Sequence, residues 1–113
     1  MLRINPPPKL NRAKIKTGTY TGNGNNNRDI DIGVNLAAKN NVLVSVFMSD
    51  ATAQAEGGQR IEYGQGDITI GYAMTRITGG IKQLTSTGFR IGTHINANQD
   101  GKNYCYVARW EES

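Results

Sequence analysis

From Ile15 onward the chain alternates apolar or β-branched with polar or small residues. Ile15, Thr17 and Thr19 alternate with Lys14, Lys16 and Gly18, and Ile30, Ile32 and Val34 alternate with Asp29, Asp31 and Gly33. A period of two marks a half-buried strand, because successive side chains of an extended chain point to opposite faces. Between the two runs lies GNGNNN (residues 22–27), whose residues favour turns and tolerate positive φ. Residues 14–20 and 28–34 are therefore predicted to pair as a hairpin. Residues 42–48 (VLVSVFM) are apolar on both faces and read as a central strand, entered through a turn at Lys39, Asn40 and Asn41. Residues 50–59 are polar and Ala-rich and read as a loop. Short strands follow at 60–63, 67–74, 81–85 and 89–94, separated by Gly-containing turns. Ile68, Ile70, Tyr72 and Met74 share one face of the second of these. Asp100-Gly101 is a strong hairpin signal leading into the last strand. There Tyr104, Tyr106, Ala108 and Trp110 share one face, and Cys105 and Val107 the other. Only residues 35–39 stay ambiguous, since Leu36, Ala37 and Ala38 also suit a single helical turn.

Six to eight short strands with turn signals every about 8–12 residues predict an all-β fold. The expected form is a small antiparallel β-sandwich, jelly-roll-like, spanning residues 14–113. Residues 1–13 read as an extended basic, proline-rich N-terminal arm. Pro6, Pro7 and Pro8 favour polyproline geometry and cannot join a central strand.

Composition sharpens this picture. Of 113 residues, 14 are Gly, 12 Asn and 10 Thr, a mixture that argues against a helical bundle. The net charge of +4 is not evenly spread: residues 1–16 hold Arg3, Lys9, Arg12, Lys14 and Lys16 with no acid, whereas the other 97 hold 8 bases and 9 acids. A near-neutral body with a basic arm weakens any whole-domain argument for nucleic-acid binding. There is no apolar run long enough for a membrane helix and no apolar core of a secretory signal, so neither is expected. One cysteine excludes an intramolecular disulfide and a cysteine-based zinc cluster.

Two motifs carry a resemblance. GTYTGNG (residues 18–24) followed by RDIDIGV (28–34) stands near the start, and GFRIGT (88–93) with NANQDGKNYCYVARW (96–110) stands at the end. In this order they resemble a small β-domain of tailed-bacteriophage virion proteins, over about a third of the chain. The resemblance implies a β-sandwich with its first and last strands adjacent. A chain of this size with a proline-containing arm looks most like a capsid decoration (cement) protein. That implies a homotrimer on the outside of a phage head, assembled in the host cytoplasm and bound to the major capsid protein. The alternative is a tail-fibre or receptor-binding module that recognises a host surface glycan.

Arm residues expected to touch the partner are Leu2, Arg3, Ile4, Pro6, Pro7, Pro8, Lys9, Leu10 and Arg12. Leu2, Ile4 and Leu10 are anchors for a groove, and the bases suit an acidic protein surface. The same charges would give salt-dependent affinity for DNA, but no aromatic is interleaved before Tyr20, so nucleic acid is the weaker reading. Tyr20, Tyr104, Tyr106 and Trp110 are assigned to the core or to self-association; together with Tyr63 and Tyr72 they could instead form a sugar-stacking platform.

His94 and Cys105 are the sole histidine and cysteine, and a Cys/His pair is formally available across the hairpin joining their strands. A cysteine sharing a face with Val107 more often acts as a small hydrophobe. Asp29 and Asp31 share a strand face beside Asn-rich residues, which admits a calcium site, but acids on an exposed strand face also resist edge pairing. GNGNNN lacks the Lys-Ser/Thr and helix of a phosphate loop. No enzyme activity, cofactor or metal is expected.

Overall fold

The computed structural model describes residues 12–49, 60–71 and 75–112. The arm up to Asn11, the loop 50–59, and Tyr72 and Met74 lie outside the described residues. The alternating runs form two antiparallel sheets that share one core. The strands are β1 (Arg12–Thr21), β2 (Arg28–Asp31), β3 (Asn40–Met48), β4 (Ile61–Gln65), β5 (Ile68–Ile70), β6 (Arg76–Ile77), β7 (Ile81–Leu84), β8 (Gly88–Ile91) and β9 (Asn103–Glu112). The large sheet has the order β1-β9-β3-β4-β5-β6 and the small sheet the order β2-β8-β7. The fold is all-β, as the alternation predicts. A single-turn helix, α1 (Ile95–Asn98), and a 3-10 turn at Leu36–Ala38 complete it.

The first and last strands adjoin along their whole length, from Arg12 opposite Glu112 to Thr21 opposite Asn103. β3 is central, between β9 and β4. Its Val44 and Val46, with Ile61, Tyr104, Tyr106 and Ala108, meet Ile30, Ile81, Phe89 and Ile91 of the small sheet in one buried cluster. Phe89 packs edge-on against both Tyr20 and Tyr106, at centroid distances of 6.4 and 5.7 Å. Edge-to-face rings bring positive edges to negative faces and add to the gain from burial.

Three sequence expectations are corrected. Residues 14–20 and 28–34 do not pair as a hairpin: β1 lies in the large sheet, and β2 pairs with β8 in the small one. The GNGNNN segment crosses the sandwich instead of folding back. Nor does Asp100-Gly101 close a hairpin, because β8 and β9 belong to different sheets; residues 92–102 cross between them through α1, with Gly101 at φ +80. On β5 the apolar face is the outer one. Thr69 points inward and is fully buried, while Ile68 stays 39% exposed. The Thr69 hydroxyl accepts from the Ile81 N–H at 2.9 Å and donates to the Ile81 carbonyl at 3.2 Å. It thus ties β5 of one sheet to β7 of the other and satisfies two buried backbone groups.

Candidate interaction surface

The crossing segment and α1 hold each other through one side chain. Asn98, fully buried, accepts the Asn23 N–H at 2.9 Å and the Arg28 guanidinium at 3.2 Å on Oδ1. Its Nδ2 donates to the carbonyls of Asn25 at 2.8 Å and Gly92 at 3.1 Å. α1 is pinned in turn by two tyrosines: the Tyr20 hydroxyl donates to the Ala97 carbonyl at 2.7 Å and the Tyr104 hydroxyl to the Ile95 carbonyl at 2.7 Å. The two rings stack at 5.3 Å. Burial, with the neighbouring Tyr104, raises the Tyr20 pKa well above the usual tyrosine value, against the opposing pull of Arg28. Gly22 is required here, since a Cβ would sit 2.1 Å from the Gln99 carbonyl oxygen. The glycines and asparagines at the two ends of the chain therefore meet as one structural corner.

Most side chains with chemical potential are committed to packing. Tyr104, Tyr106 and Trp110 are buried core residues, and Tyr20 is half-buried against them. The first three offer no exposed ring to a sugar platform, while Tyr63 is half-buried and Tyr72 lies outside the described residues. His94 caps α1, its Nδ1 accepting the Asn96 N–H at 3.1 Å, and burial lowers its pKa. Cys105 faces outward from the large sheet, whereas α1 packs on the inner side, so the structure brings no Cys/His pair together. Asp29 forms a two-point pair with Arg90, at 2.6 and 3.3 Å, which holds its carboxyl below the usual range. Asp31 accepts the Gly33 N–H at 2.8 Å. Asn98 and Thr69, central to the fold, were not singled out in the sequence, where nothing distinguishes one asparagine or threonine from the others.

Among the described residues, what remains most open is the outside of the large sheet and its β1 edge. Register places Ile15, Arg109 and Leu43 in one row across three strands, and Thr17, Val107, Ser45, Glu62 and Ile70 in the next. A shallow cavity of about 150 Å³ lies on this face, lined by Leu43, Ser45, Arg60, Glu62, Val107 and Arg109. Ile15 is 59% exposed and Leu43 38%. Arg12 heads the β1 edge; of the arm residues proposed for partner contact, it alone is among the described residues. Comparison with known proteins finds no family model, curated protein or solved structure that matches the chain.

Proposed function

We propose that the chain is a non-enzymatic virion structural protein of a tailed phage. In this reading it is a capsid decoration protein that binds the head exterior as a homotrimer and stabilises contacts between capsid subunits. The observation that carries the docking half of this reading is the division of labour among side chains. Candidate chemical groups serve the fold, while apolar residues are left in water on the outside of one sheet. An apolar face edged by charge is suited to a protein partner. The virion half rests on the two terminal motifs, which come together as adjacent strands and one corner. Many weak sites on a lattice act together, because only the assembled shell presents the full set.

The arm supplies the test. Removing residues 1–11 takes away Leu2, Ile4, Leu10 and the prolines without touching β1. Full-length and shortened chains are incubated with tailed-phage heads lacking the protein, and bound copies are counted by gel densitometry. The shortened chain is expected to keep its circular-dichroism spectrum and lose most of its occupancy. Equal occupancy of the two chains removes the arm from the reading. Failure of the full-length chain to bind heads removes the capsid assignment itself.

A further inference from the structure

Among the described residues β1 is paired on one side only, with β9. Its ten residues run against β9 without a register shift, and they contain no proline. The direction of its backbone groups follows from the next residue along. Gly22 N–H donates to the carbonyl of Lys102 at 2.7 Å, in the same register as the ladder. Hydrogen-bonded and non-bonded pairs alternate along an antiparallel ladder. Arg12, Lys14, Lys16, Gly18 and Tyr20 therefore turn their N–H and C=O toward β9, and Ala13, Ile15, Thr17 and Thr19 turn theirs away. The other flank of β9 agrees: Ser49 N–H donates to the Asn103 carbonyl at 2.8 Å, so the odd-numbered residues of β9 serve β3. At the far end the Thr21 carbonyl takes the Arg28 guanidinium, which closes the edge there.

An open, regular edge is a template for another strand, and proteins blunt such edges with prolines, bulges or charge. Of these, β1 carries only charge. Arg12, Lys14 and Lys16 are all exposed on one face, and none forms a salt bridge among the described residues. Lys14 lies near enough to Glu112 to help lower its pKa. Three like charges at alternate positions repel a second basic strand. They attract a strand whose carboxylates fall at the same alternate positions. On the opposite face Ile15, Thr17 and Thr19 suit β-branched neighbours.

We propose that β1 accepts an extended segment of a partner protein by strand addition, its Asp or Glu side chains flanking Lys14 and Lys16 and its intervening residues apolar. This gives a partner chemistry to the docking reading above and rests on it. The ladder of Ala13, Ile15, Thr17 and Thr19 supplies affinity, and the lysines select the sequence.

The probe is a capped, fluorescein-labelled peptide of about ten residues alternating Glu with Val, titrated against the full chain by anisotropy. Saturable binding is expected, with none for the Lys-Val counterpart. Thr17→Pro removes an outward N–H while leaving the bonds to β9, a placement that edge strands tolerate. It is expected to weaken the peptide about tenfold or more, since it removes a bond and puts a ring in the path of the added strand. The double variant Lys14→Glu, Lys16→Glu is expected to exchange the preference for the Lys-Val peptide. Methylating alternate amides of the Glu-Val peptide keeps its charge and should abolish pairing. No binding of the Glu-Val peptide overturns the proposal. So does equal binding of the methylated peptide, or equal binding by the Thr17→Pro chain, because either leaves charge attraction alone. A chain that pairs with the peptide but binds no phage head keeps the strand addition and loses the capsid assignment. One that binds heads and ignores the peptide does the reverse.

Discussion

The two sheets share one buried core and differ on the outside. The small sheet turns out Asp29, Asp31, Gln83 and Arg90, and its central pair is an ion pair at 2.6 Å. The large sheet turns out Ile15, Leu43, Val107, Phe47 and Ile70 among scattered charges. Four large hydrophobic residues are markedly exposed among the described residues; Ile15, Leu43 and Ile68 lie on the large sheet, Ile95 on α1, and none on the small sheet. Leaving apolar groups in water forgoes about 25 cal/mol per Å² of burial, a loss that is recovered when another surface covers them. The small sheet turns polar and charged side chains to solvent, whereas the large one, among the described residues, leaves apolar side chains there.

The sharpest way to break this comparison is to truncate one side chain in the core between the sheets and one on the outer face of the large sheet. Phe89, fully buried between the sheets, contacts Tyr20 and Tyr106. Phe89→Ala is expected to cost about 3–5 kcal/mol, from lost transfer energy and the cavity left behind. Leu43→Ser on the outer face should move stability by less than about 0.5 kcal/mol. Urea unfolding followed by Trp110 fluorescence measures both. A Leu43→Ser cost approaching that of Phe89→Ala would mean that the outer face is packed within the monomer, and the contrast would fall.

Asn98 tests the corner that the small sheet and α1 share. Replacing it by Ala orphans the Asn23 N–H and the Asn25 and Gly92 carbonyls together. Each unsatisfied buried group costs about 1–3 kcal/mol, with partial relief where water enters, so a net loss of about 2–3 kcal/mol is expected. The loss should also be local. Amide exchange of Asn23 and Gly24 should accelerate before that of β3 and β9. Uniform acceleration across the chain would show that the corner is not a separate unit.

Much of the fold was legible because burial sets the alternation directly. The strand at 102–110 stands out for that reason and the one at 42–48 because it is apolar on both faces; both lie inside the large sheet. Pairing was not legible. Alternation tells which side of a strand is buried and not which sheet it joins. The link that decides the matter, Asn98 to Asn23, spans 75 positions. Thr69 misleads for a related reason: a threonine between two isoleucines looks like the solvent side until its hydroxyl is seen bridging the Ile81 backbone. Ile15 misleads the other way, since its alternation resembles that of a half-buried strand, yet it lies on the open face. The candidate surface is thus a set of apolar positions whose sequence pattern is that of a core.

The smallest expected effect is one of pH, and it separates the two regions most cleanly. The His94 ring is neutral when it accepts the Asn96 N–H, and burial lowers its pKa in the folded chain. An unfolded histidine titrates near about 6.5. As pH falls through that value the unfolded chain binds the proton first, so stability declines; it levels once the folded ring is protonated as well. The decline is slight, because the ring is half-exposed. Asp29 and Glu112, both with lowered pKa values, also lose their contribution on acidification, but only toward the carboxylate range near about 4. His94→Asn keeps a capping side chain. It should remove the step near neutrality and leave the acid one, as read from urea midpoints between about pH 3 and 8. Affinity of the β1 edge for an acidic peptide should stay flat between about pH 6 and 8, where the peptide's glutamates are ionised. An affinity that follows the His94 step and flattens in His94→Asn would mean that corner and edge are coupled, and the division between a closed side and an open one would have to be redrawn.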